Sequence, residues 1–150
     1  MTRDGDDSAR LLAGNWRVAA SSFLPHSVAA SPVLVEFEPL SAGGRLRETW
    51  RFRDERGRER TVRDVNRLRG QEFVRRSSRR LGALRWRFEG LSEDGLVAVL
   101  GQRCARAAAD DAHVLVRVGA SVDARTIVAT QAARFGLGPE RFASLSWYIA

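Results

Sequence analysis

The chain has 150 residues, one domain's worth, and 44% of them are hydrophobic, enough for a single core. Its 25 basic residues, all arginine, outnumber 18 acidic ones and leave a net charge of +7, which raises the local anion concentration without naming a partner. No run approaches the ~20 apolar residues of a membrane span, the opening MTRDGDDSAR lacks a secretory apolar stretch, and the lone Cys104 excludes an internal disulfide or a paired-cysteine zinc site. A cytoplasmic location is the expectation.

In chain order, residues 1–10 read as a flexible lead-in, and 15–23 as a first strand. A long loop at 22–32 follows. In VLVEFEP, Val33, Val35 and Phe37 alternate with Leu34, Glu36 and Glu38. In LRETWRFRD, Leu46, Glu48, Trp50, Phe52 and Asp54 share one face, and Arg45, Arg47, Thr49, Arg51 and Arg53 take the other. Strands at 60–69 and 72–79 come next, then ALRWRFEG, where Leu84, Trp86 and Phe88 alternate with Arg85, Arg87 and Glu89. Strands at 96–105 and 113–118 complete the run. Such alternation marks antiparallel strands with one buried and one wet face. Turn-like stretches at 40–44, 54–58, 80–83, 92–95 and 107–112 separate most of them. The arginines alternate with acids and apolar residues instead of forming a block, which argues for wet strand faces and against nucleic acid.

One helix is predicted, capped by Asp123, with a stripe of Ile127, Val128, Ala132 and Phe135 and a stop at Gly136. Pro139 reads as the break after it, and LSWYIA at 145–150 as a final strand. The fold expected is all-β: one domain over 1–150, an eight-stranded antiparallel up-and-down barrel with a C-terminal helix and a short last strand.

The opening LLAGNWRVAASSF contains Gly14–Asn15–Trp16, preceded by leucines and followed by a strand. With the long first loop, the meander, and the tail ATQAARFGLGPERFASLSWY, the chain resembles the lipocalins, specifically the small bacterial members, over residues 11–149. Two departures stand out. The motif before the eighth strand is reduced to Asp111–Ala112–His113, and the arginine that packs on the motif tryptophan has its nearest candidate in Arg117, in a different register. The resemblance implies that Trp16 caps the closed end, and that the loop at 22–32 and the turns at 54–58, 77–82 and 106–112 lie at the mouth. Those turns and their flanks carry Arg53, Arg56, Arg58, Arg60, Arg75, Arg76, Arg79, Arg80, Arg103 and Arg106, so the mouth should be cationic. An apolar ligand with an anionic head fits that rim.

The period of two assigns the lining. Trp50, Phe52, Leu84, Trp86 and Phe88 form an aromatic wall, and Leu96, Ala98, Leu100, Gln102 and Cys104 share the inward face of their strand. The strand at 60–69 has two phases, one placing Val62, Asp64, Asn66 and Leu68 inside, the other Arg63 and Val65. Glu48 lies on the apolar phase, so it should point inward, either salt-bridged to an inward arginine such as Arg63 or protonated and able to act as a general acid or base. His26 and His113 could approach the mouth, but neither has a second ligand at metal spacing, and no metal or cofactor is expected. The resemblance implies a carrier of a small, largely apolar or amphiphilic molecule. The alternative is a cytoplasmic cyclase or isomerase of small-molecule biosynthesis using Glu48.

Overall fold

The computed structural model describes residues 3–22, 32–76, 83–104 and 111–148. Eight strands form the meander: β1 (Gly14–Ser21), β2 (Leu34–Phe37), β3 (Arg45–Arg53), β4 (Glu59–Arg69), β5 (Glu72–Arg76), β6 (Ala83–Leu91), β7 (Val97–Cys104) and β8 (Asp111–Arg117). Each pairs antiparallel with the next, and β8 and β2 both pair with β1, so the sheet closes on itself. Among the described residues, each strand of the meander has a hydrogen-bonded neighbour on both sides over at least part of its length. A two-residue strand, β9 (Ser146–Trp147), pairs with Ala20 and Ser21 of β1, beyond the stretch of β1 that pairs with β2.

The alternation read from the sequence is the division between two cores. Inside the barrel, Trp16, Val18, Val35, Phe37, Leu46, Phe73, Trp86, Leu100 and Leu115 pack together. On the outside of β1, β7 and β8, Ala20, Val97, Val99, Val114 and Val116 meet α2 (Ala124–Thr130), a 3-10 turn (Ala132–Phe135) and residues Leu137 and Leu145. These strands are therefore apolar on both faces, whereas β3 and β4 turn bare arginines to solvent. Asp123 caps α2 by accepting from the Thr126 amide at 3.1 Å, as expected, and Gly136 ends the 3-10 turn with φ 60°.

Three expectations are corrected. Residues Arg3–Leu12, expected as a flexible lead-in, form helix α1, whose Ala9 and Leu12 are fully buried in the barrel core. The expected single helix is instead α2 followed by the 3-10 turn. Pro139 does not merely end a helix but begins another, α3 (Pro139–Ala143), because a proline in a first turn forfeits no intrahelical hydrogen bond.

The closed end explains the Gly-x-Trp sequence. Trp16 and Arg117 are direct cross-strand partners, and the Arg117 guanidinium lies 3.8 Å from the Trp16 ring centroid. The register that sets Arg117 apart in sequence is thus the one that stacks it. Arg117 also donates to the Leu11 and Ala13 carbonyls, each at 2.7 Å, while Trp16 Nε1 donates to the Leu12 carbonyl at 2.7 Å. Three consecutive carbonyls at the end of α1 are satisfied this way, which docks the helix under the barrel. Gly14 has φ 114°, and a Cβ there would lie 2.8 Å from Arg117 Nη1, so only glycine fits.

Candidate functional site

Pairing resolves the phase of β4. Leu46, Glu48 and Trp50 stand opposite Asn66, Asp64 and Val62, so these face inward and Arg63 and Val65 face outward. The salt bridge expected between Glu48 and Arg63 is therefore corrected: the partner is Arg75. Phe73 of β5 is buried inside, and two residues on, Arg75 follows it into the barrel. Its Nη1 bridges Glu48 and Asp64, at 2.7 Å from Asp64 Oδ2. Glu48 is 4% exposed and also accepts from Trp50 and Asn66. Burial pushes its carboxyl above the usual range, Arg75 opposes that shift, and Asp64 adds to it. A general acid or base needs a carboxyl free to meet a substrate, and this one is engaged from three sides.

Below this cluster the barrel is filled. Trp86 stacks on Phe73 with centroids 4.3 Å apart, tilts against Phe37 at 5.7 Å, and donates its Nε1 to Asn66 Oδ1 at 2.9 Å. Trp86 belongs to this lower layer with Leu100, and Phe88 packs against it half-buried. Leu84 is buried higher up, opposite Arg75 and Cys104. The side chain of Cys104 lies outside the description.

On the far wall, His113 is 3% exposed and its ring sits 5.8 Å from that of Trp50. Ser21 Oγ meets Nδ1 at 2.9 Å, and Gln102 Oε1 meets Nε2 at 3.2 Å. If Nε2 carries the proton, it donates to Gln102 while Nδ1 accepts from Ser21. Burial, with Arg75 nearby, lowers the imidazole pKa from 6.5 to about 4. The buried hydroxyl of Tyr148, which follows β9 and packs against the interior cluster, approaches Ser21.

Above the cluster the wall changes character. Trp50 and Phe52 are only half-buried, and Val62, although it faces inward, is 42% exposed. The interior thus runs from a packed base, through a polar middle layer, to an apolar upper wall open to solvent. Among the described residues, several of the arginines expected at the mouth are paired or turned away from it. Arg60 is held by Asp54 at 2.8 Å and Arg53 by Glu59 at 3.6 Å, Arg75 is inside, and Arg103 is on the outer face. His26, Arg79, Arg80 and Arg106 lie outside the described residues, as does the side chain of Arg76.

Ser21, Arg75 and Tyr148 are the interior residues that sequence reasoning missed. Arg75 was within reach, because the alternation that buries Phe73 carries it inward. Ser21 was not, because a register shift between Val18 and Ala20 reverses the phase of β1.

The buried neutral His113 makes the fold acid-sensitive. Its folded pKa lies below 6.5, so the unfolded chain takes up the proton first and stability falls as pH drops from about 6.5 to about 4. Glu48, whose pKa is raised, acts in the opposite sense, so the two are separated by mutation. Between pH ~7 and pH ~4, wild type should lose about 3 kcal/mol relative to His113→Gln in urea unfolding. A constant difference would mean that the imidazole ionises as freely folded as unfolded.

No family model matches the chain, and no curated protein is similar to it in sequence. Solved structures are similar in shape. Lobster apocrustacyanin A1 superposes with a TM-score of 0.66 at 13% identity, covering 93% of this chain and 78% of that one. The siderocalin Ex-FABP, described as functioning through dual ligand specificities, gives 0.60 at 15% identity over 93% and 95%. The bovine lipocalin allergen Bos d 2 gives 0.62 at 12% over 93% of both chains. The fold is that of the lipocalins.

Proposed function

We propose that this chain is a binding protein that holds a small, largely apolar molecule in the upper half of its barrel. The carrying observation is the inward wall of Trp50, Phe52 and Val62, which stays partly exposed above the polar layer. An apolar wall left open inside a barrel of this size is what an apolar ligand would cover. The dual ligand specificities described for the siderocalin Ex-FABP, which is similar in fold, support the same reading.

The polar layer would meet the ligand's head. Arg75 is already shared by two carboxylates, so this layer favours a neutral, hydrogen-bonding head. Arg56 and Arg58, exposed at the mouth, are what the described rim offers to an anionic head.

A neutral apolar fluorophore such as N-phenyl-1-naphthylamine tests the reading. It should bind one to one, and Trp50→Ala, which removes the largest side chain of the upper wall, should weaken that binding at least about tenfold. Glu48→Gln should bind the probe within about threefold of wild type, since Arg75 keeps Asp64 and the wall is untouched. Binding undiminished by Trp50→Ala, or several probes per chain, would place binding on the surface.

A further inference from the structure

Opposite the face covered by α2 and the 3-10 turn, the outer surface of β3 and β4 is bare. Arg45, Arg47, Arg51, Arg63 and Arg67 all project from it and are exposed. None has an acid within ion-pair distance among the described residues, whereas Arg53, Arg60, Arg85 and Arg87 each do. Arg45 and Arg67 are direct cross-strand partners, a like-charge pair that destabilises a sheet unless something anionic covers it. An open recess of about 540 Å³ adjoins the pair, bordered by Arg45, Arg47 and Arg67 with Glu38 and Ser41. Two apolar side chains stand among the arginines: Val65, 49% exposed and opposite Arg47, and Leu34, 36% exposed and opposite Arg51.

We infer that this face docks the protein side-on to an anionic phospholipid bilayer. Charge complementarity supplies the attraction, and arginines pair with phosphate head groups in a bidentate way. The choice of bilayer over nucleic acid rests on what accompanies the charge. Single-stranded nucleic acid is held by aromatic platforms on which bases stack, and the outward positions of β3 and β4 carry no aromatic residue. Exposed Val65 and Leu34 instead suit contact with the boundary between head groups and acyl chains. No helix among the described residues is long and apolar enough to span a membrane. The docking does not depend on the barrel interior.

The test is co-sedimentation of the full chain with phosphatidylcholine vesicles containing about one-third phosphatidylglycerol, against vesicles of phosphatidylcholine alone. The protein should partition onto the anionic vesicles only, and rising salt should release it. Each arginine near such a surface contributes about fivefold to partitioning. The variant Arg47→Gln/Arg51→Gln/Arg63→Gln/Arg67→Gln should therefore lose at least about a hundredfold, with unchanged circular dichroism. A control with the same charge change on other faces, Arg85→Gln/Arg103→Gln/Arg125→Gln/Arg134→Gln, should lose less than about tenfold. Equal loss in both variants would reduce the effect to net charge and overturn the docking face. Absence of binding to anionic vesicles would overturn it directly. A single-stranded oligonucleotide that strips the protein from vesicles, and binds it more tightly at the same salt, would reassign the face to nucleic acid.

Discussion

Replacing Arg75 with methionine is expected to destabilise the protein by about 3–5 kcal/mol near neutral pH, the range for removing one partner of a buried ion pair. The loss exceeds that of a surface pair because of what remains. Glu48 and Asp64 are direct cross-strand partners inside the barrel, and without the guanidinium two carboxylates face one another there. Glu48, already raised by burial, would then take up a proton, so the variant should regain stability on mild acidification. Adding Glu48→Gln to Arg75→Met should restore most of the loss at neutral pH, because one carboxylate disappears and the amide keeps its shape. Urea unfolding of the two single variants and the double variant measures this as a coupling energy. A loss below about 1 kcal/mol for Arg75→Met would mean that solvent, and not Arg75, holds the two carboxylates.

The second large effect belongs to the base. Trp16→Ala should cost about 3–5 kcal/mol, the usual range for emptying an aromatic site in a core. It would also strip the Leu12 carbonyl of its donor and Arg117 of its stacking surface. Arg117→Met should cost less, about 2 kcal/mol, because the tryptophan stays packed while two charge-assisted hydrogen bonds are lost. The two variants should differ in kind as well as size. Hydrogen exchange should show α1 fraying in Arg117→Met with the barrel strands still protected, whereas Trp16→Ala should lower protection throughout. Equal protection of residues 3–12 in wild type and Arg117→Met would mean that Ala9 and Leu12 alone hold the helix.

What was legible in the sequence and what was not follow from how far each signal reaches along the chain. Alternation is local, and it placed the strands to within a few residues, with Leu46, Leu84, Trp86, Ala98 and Leu100 on their buried faces. The phase of β4 was open because both of its faces carry charge and an apolar residue, Asp64 with Val62 and Arg63 with Val65. Only the register with β3 decides between them. Helix α1 left no trace in RDGDDSARLL because its docking is tertiary. Two buried side chains and the donors on Trp16 and Arg117, which follow it in the chain, hold it. The bulge in β1 likewise hides Ser21, since one extra residue inverts the face of everything after it. At the site, Glu48 was found by its parity and His113 by its place at the end of its strand, and their partners Arg75 and Ser21 were not.

Native mass spectrometry asks directly whether the upper barrel holds a small apolar molecule. The purified protein is incubated with a small-molecule extract of its host, desalted, and measured beside Trp50→Ala and Arg75→Met/Glu48→Gln. A single species should be bound at one per chain, recovered unchanged, enriched in apolar compounds, and displaced by the neutral fluorophore. A protein that emerges bare from the extract and fails to bind the fluorophore would contradict the proposed binding role, as would a compound that returns chemically altered.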